Sequence, residues 1–177
     1  MMRGHRIFIL LAALFACQYS AGDGAAGPVI KISADDIRAG DTALPERGFV
    51  STGQPDVEVL RKIADGGFVA VIDLRTDDED RGFDEQKEVE RLGMQYVSLP
   101  VAGSSDFNFE KAAKLDRLLA DFDGPVLLHC GSGNRVGALF ALRASLRGAS
   151  DEDALEEGIA AGLTRGKAAV EERLQAQ

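Results

Sequence analysis

The stretch Val126-Leu127-Leu128-His129-Cys130-Gly131-Ser132-Gly133-Asn134-Arg135-Val136-Gly137 decides the fold. Val126 to His129 has the length and apolar content of a fully buried strand. Helical spacing begins at Val136, with Leu139, Phe140 and Leu146 as core candidates, and predicts a helix over 136–147. The small residues between make a tight strand-to-helix loop, which is where parallel α/β sheets present ligand sites. Gly131 and Gly133 let the backbone curl with its N–H groups inward, beside the positive end of the helix dipole, and such a nest accepts an oxyanion. The same field, with the guanidinium of Arg135 beside it, favours the ionised sulfur and makes Cys130 the candidate nucleophile. Arg135 is both a catalytic and a substrate-binding candidate, because its planar fork can hold two oxygens of a tetrahedral anion. Gly131, Ser132, Gly133 and Asn134 complete the candidate binding loop, with Ser132 and Asn134 free to bond the thiolate or brace the loop. His129 is read as orienting the loop from behind.

Working outward, short β-like runs alternate with helical spacing, the pattern of an α/β domain with a mostly parallel central sheet flanked by helices. Strands are expected over 48–51, 68–74 and 96–99. A helix starting at Pro55 or Asp56 places Val59, Leu60 and Ile63 on one face and stops at Gly66-Gly67. A second runs from about Asp84 to Leu92, closed by Gly93. A third carries Ala112, Leu115, Leu118, Leu119 and Phe122 after the loop Pro100 to Asn108. Ser150 caps a further helix, and Thr164 is expected to cap a terminal one. Gly53-Gln54-Pro55 reads as a turn, and Asp73 and Arg75 as structural contacts at the end of the sheet.

Of 177 residues, 45% are hydrophobic and 28% charged, enough apolar material for one core. A formal net charge of -9 argues against nucleic acid as a partner, because a polyanion is repelled at long range. An anionic substrate must be caught by local positive groups. Arg3, His5 and Arg6 precede the apolar run Ile7 to Ala16, so residues 1–22 read as an export signal, too short for a permanent span. Residues 23–30 read as a flexible linker and 31–177 as the catalytic domain. Two cleavage readings stay open. Leu14-Phe15-Ala16-Cys17 fits a lipoprotein signal that would anchor Cys17 to the membrane, and Ser20-Ala21-Gly22 fits an ordinary signal-peptidase site releasing a soluble periplasmic product. In both, Cys130 lacks a disulfide partner, since the chain has two Cys. With two His and one usable Cys, neither a metal site nor a cofactor is implied.

His129-Cys130, Gly133 and Arg135 resemble the phosphate-binding loop of protein tyrosine and dual-specificity phosphatases, whose pattern is H-C-x5-R. Here only four residues separate Cys130 from Arg135, a spacing similar to the C-x4-R loop of rhodanese-like sulfurtransferases. Upstream, Ser51-Thr52-Gly53-Gln54-Pro55, Val71-Ile72-Asp73-Leu74-Arg75 and Leu99-Pro100-Val101 resemble a bacterial phosphatase-like family that is also described as sulfur transferases. The resemblance covers roughly residues 48–147 and implies a dual-specificity-phosphatase-like fold.

Two chemistries follow. In a phosphatase, Cys130 attacks phosphorus to give a cysteinyl-phosphate, the substrate is phosphorylated, and an acid protonates the leaving oxygen. The resemblance implies an Asp after the strand over 96–99, but Ala102 stands at that position, and Asp106 on the same loop is the remaining catalytic candidate. In a sulfurtransferase, Cys130 carries a persulfide between a sulfane-sulfur donor and a thiol acceptor and needs no such acid. A third class is an oxyanion-binding module without turnover.

Overall fold

Val126–His129 forms the central strand of a five-stranded, all-parallel sheet in a computed structural model that describes residues 27–176. The strands are β1 (Val29–Lys31), β2 (Phe49–Thr52), β3 (Ala70–Asp73), β4 (Gln95–Ser98) and β5 (Val126–His129), in the order β1-β2-β5-β3-β4. Thr52 and Asp73 both pair in register with His129, so the strands beside β5 end level with the start of the loop.

Seven α-helices flank the sheet among the described residues: α1 (Ala34–Ala39), α2 (Val57–Asp65), α3 (Glu85–Arg91), α4 (Phe109–Ala120), α5 (Asn134–Leu146), α6 (Asp151–Ala160) and α7 (Lys167–Gln175). The two-residue period of the strands divides the core into two layers. Val126 and Leu128 face the layer containing Leu115, Leu139 and Val170, whereas Leu127 faces Val59, Leu60 and Val89. Burial of both faces explains why β5 reads as an uninterrupted apolar run.

The expected elements are present with small shifts at their ends. Asp56 and Asp84 cap α2 and α3 by accepting N–H bonds from Val59 and Lys87. Two expectations differ. The linker reading extended to residue 30, but Val29 and Ile30 belong to β1 and pair with Phe49 and Val50. Thr164 does not cap α7, which begins after Gly166 with no side-chain cap. The export signal over 1–22 and the proposed lipid site at Cys17 lie outside the described residues.

α5 is buried from Val136 through Ala144 and crosses α6 at nearly backbone contact. A Cβ on Gly137 would stand 2.5 Å from the Gly158 carbonyl oxygen and 2.1 Å from the Leu163 nitrogen. The two glycines therefore set how closely α6 and the turn after it approach the loop.

Candidate active site

β5 ends at His129, and Cys130 begins the loop at the carboxyl rim of the sheet. Gly133 sits before α5 at φ 86° and ψ -12°, a left-handed conformation that glycine adopts without steric cost. There its N–H donates to the Cys130 Sγ at 3.1 Å. The sulfur thus takes the position of a helix-capping acceptor, facing the positive end of α5. Behind the loop the Lys31 ammonium, carried by β1, donates to the Ser132 carbonyl oxygen. That bond holds one peptide oxygen of the loop on the side of β1.

Arg135 turns back over the loop, and a Cβ on Gly131 would lie 3.6 Å from its Nη2. Nη1 donates to Glu79 Oε1 at 2.5 Å and to the Val101 carbonyl at 2.9 Å, and Nη2 donates to Glu79 Oε2 at 2.7 Å. Glu79 and the Cys130 sulfur both hold the guanidinium above its usual value, with Glu79 the larger cause. The fork has five N–H donors. With Glu79 and the carbonyl on one edge, the Nε and second Nη2 hydrogens remain for the sulfur and an incoming anion.

Glu79 is the residue that sequence reasoning missed. Its carboxylate also accepts from the Thr76 amide at 3.0 Å and from Arg75 Nε at 3.1 Å. The Arg135 guanidinium is the first cause that holds it far below the usual carboxylate range. Arg75 in turn donates to Gln54 Oε1, and Gln54 Nε2 donates to Glu85 Oε2 at 2.9 Å. The Gly53-Gln54-Pro55 turn is therefore part of the support of the site, and a Cβ on Gly53 would approach the Gly131 carbonyl oxygen at 3.3 Å.

His129 is fully buried beneath the loop, its Nε2 2.7 Å from Glu85 Oε1 and 3.6 Å from Asp73 Oδ1. These three residues place potential ligand atoms within 4.8 Å of one another. Arg81 already supplies positive charge there, with Nη2 2.6 Å from Asp73 Oδ2 and Nε 3.9 Å from Glu85 Oε2. The Tyr96 hydroxyl donates to the same Asp73 oxygen at 2.9 Å. Asp73 and Arg75 are structural contacts at the sheet end, as expected.

An open cleft of about 650 Å³ lies over the loop. Cys130, only 1% exposed, sits at its floor together with Gly131, Ser132, Asn134 and Arg135. Asp78, Glu79, Ala102, Phe107 and Arg165 are among the wall residues. Two predicted residues have different work. Asn134 gives its side-chain oxygen to the Thr164 and Gly166 amides at 2.9 and 3.0 Å, so it anchors the turn before α7. Asp106 does not line the cleft. Its Oδ2 accepts from the Ala102 amide at 2.9 Å and pairs with Lys111 at 2.9 Å, and both interactions hold the carboxyl below its usual range, the amide first. The structure thus places the Asp106 carboxylate within its own loop, on Ala102 and Lys111, and not among the residues that line the cleft.

Residues 42–147 match the family described as beta-lactamase hydrolase-like protein, phosphatase-like domain. The chain belongs to this family. A beta-lactamase hydrolase-like protein of Xylella fastidiosa is 35% identical over 130 residues, which cover 71% of this chain and 30% of that protein. The chain thus spans about a third of the length of the curated relatives it matches. A candidate phosphatase of Neisseria meningitidis shares the fold at a TM-score of 0.62 and 21% identity, over 76% of this chain and 95% of its own. TpbA of P. aeruginosa, solved in complex with phosphotyrosine, superposes at 0.52 and 22% identity, over 70% of this chain and 82% of its own. The fold of this phosphatase-like domain is that of the protein tyrosine and dual-specificity phosphatases.

Proposed function

We propose that this domain is a cysteine-dependent phosphatase that hydrolyses a phosphomonoester through a cysteinyl-phosphate on Cys130. The observation that carries the reading is the bond from the Gly133 amide to the Cys130 sulfur, at the head of α5 and beside Arg135. An ionised sulfur is the attacking form, and inward amides with a guanidinium stabilise the charge on the transferring phosphoryl group. The phosphotyrosine complex of TpbA supports a phosphorylated substrate by analogy of fold.

In this reading the sulfur forms a bond to phosphorus as the ester P–O bond breaks. The leaving oxygen takes a proton from Asp78, the exposed carboxyl on the cleft wall, in place of Asp106. The Thr76 hydroxyl keeps Asp78 below its usual value in the free cleft, and a neighbouring phosphate dianion opposes that shift. Water then attacks phosphorus, giving its proton back to Asp78 as the S–P bond breaks, which releases inorganic phosphate and restores the thiolate. The signal reading of residues 1–22 adds an exported, periplasmic setting, with Cys17 as a lipid anchor in one of its two forms.

Two observations favour a second reading, a sulfurtransferase. The loop has four residues between Cys130 and Arg135, and Asp106 is committed elsewhere. A persulfide on Cys130 needs no acid at the leaving group, and the shorter ring of amides suits a single terminal sulfur. Two assays separate the readings. The purified domain is given an aryl phosphate, and separately thiosulfate with cyanide. Phosphate release that disappears in Cys130→Ser, with a phosphoryl adduct on Cys130 by mass spectrometry, is the expected result. Thiocyanate formation and a persulfide adduct without phosphate release would establish sulfur transfer instead.

A further inference from the structure

We propose that Arg165 is a specificity residue that takes a second anionic group on the substrate, so that the preferred phosphomonoester carries another negative charge beside its phosphate. This inference rests on the phosphatase reading of the cleft.

Arg165 lines the cleft, is exposed, and has no ion-pair or hydrogen-bond partner among the described residues. Its backbone position is nevertheless fixed. The Asn134 side-chain oxygen accepts from the amides on either side of it, Thr164 at 2.9 Å and Gly166 at 3.0 Å, and from the Thr164 hydroxyl at 3.2 Å. Gly166 is packed in turn, since a Cβ there would meet Phe107 at 2.6 Å. A residue of the binding loop therefore holds Arg165 at a set place on the wall.

Charge gives the reason for a free guanidinium there. Arg135 is shared between the Glu79 carboxylate and the sulfur, and Asp78 adds a further carboxylate on the wall. Glu79 is already neutralised by Arg135 and Arg75, so among the described residues lining the cleft Arg165 is the cation left uncommitted, in a chain whose formal net charge is -9. A second anion on the substrate would otherwise meet the Asp78 carboxylate without a counter-charge. Arg165 supplies the missing positive charge, and its planar fork matches a carboxylate or a second phosphate equally.

The test compares 3-carboxyphenyl phosphate with 3-carbamoylphenyl phosphate, which differ in the second charge and little in shape. Arms with benzene-1,3-bisphosphate and phenyl phosphate show whether the second anion is a phosphate or a carboxylate. Wild-type protein is expected to prefer the doubly anionic member of at least one pair by about tenfold in kcat/KM, through KM. Arg165→Gln should bring that ratio near one, and Arg165→Lys should restore part of it. The same pairs are titrated against Cys130→Ser protein, which binds without turnover. A ratio near one in wild type, or one that survives Arg165→Gln, overturns the inference even where phosphate is released. A preference in the binding arm that depends on Arg165, without phosphate release by wild type, supports the second-anion site and overturns the hydrolytic reading.

Discussion

Glu79 holds both terminal nitrogens of Arg135, at 2.5 and 2.7 Å, from the loop between β3 and α3. The pair fixes the plane of the guanidinium before any ligand arrives, and fixed donors lose less freedom on binding an anion than mobile ones do. Glu79→Gln keeps the shape but leaves one of the two contacts without a suitable acceptor. We expect kcat/KM on an aryl phosphate to fall by about tenfold or more, with Arg135→Lys at least as damaging, as steady-state kinetics would show.

The same pair makes the site acid-sensitive. The folded protein depresses the Glu79 carboxyl from its ordinary value of 4.5, so its contribution to stability is complete above that pH and is lost as pH falls toward the folded value. Urea unfolding followed from pH 7 downward should show a declining limb below about 4.5 that is shallower in Glu79→Gln. An identical limb in both proteins would assign the acid sensitivity to other carboxylates.

Asp106 and Asp78 should behave differently. Asp106→Asn is expected to keep kcat within about twofold, because its carboxylate works within its own loop. Asp78→Asn should slow poor leaving groups far more than p-nitrophenolate, a steeper dependence on leaving-group pKa being the mark of a lost acid. Equal dependence in wild type and Asp78→Asn would remove Asp78 from the mechanism.

Lys31→Met removes the donor that holds the Ser132 carbonyl oxygen while keeping much of the aliphatic stem. The expected result is a several-fold loss in kcat/KM with a small change in Tm, since an exposed bond of this kind contributes about 1 kcal/mol or less to folding.

Gly137→Ala should destabilise the domain by about 1–3 kcal/mol, because the added methyl meets backbone atoms of Gly158 and Leu163 that cannot yield without moving α6. Chemical denaturation measures it, and a change under 0.5 kcal/mol would show that the helices separate easily.

Much of this arrangement was legible in the residues themselves. Val126–His129, the helix starts near Asp56 and Asp84, and the Cys130 to Arg135 loop each follow from local rules, with consistent apolar period and turn chemistry on both sides. β1 was not legible, since Val29–Lys31 is a three-residue edge strand behind Gly27 and Pro28, with too few residues to show alternation. Glu79 was hidden for another reason. It lies in a run of charge, Arg75 to Arg81, that reads as solvated surface, and its function appears only when Arg135 arrives from far along the chain. The position of that run, directly after β3 at the carboxyl rim, was the available signal. Thr164 looked like a helix cap because its side chain suits one, but its hydroxyl donates to Asn134 across the fold, and Asn134 also accepts from the Gly166 amide.

The parallel sheet also gives the domain a front and a back. Gly27, Pro28, Gly48 and Pro125 gather around the rim where the strands begin, whereas Cys130 opens from the rim where they end. A support gripping the chain ahead of Gly27 would therefore stand at the rear of the domain and leave the cleft over Cys130 open, clear of whatever surface did the gripping.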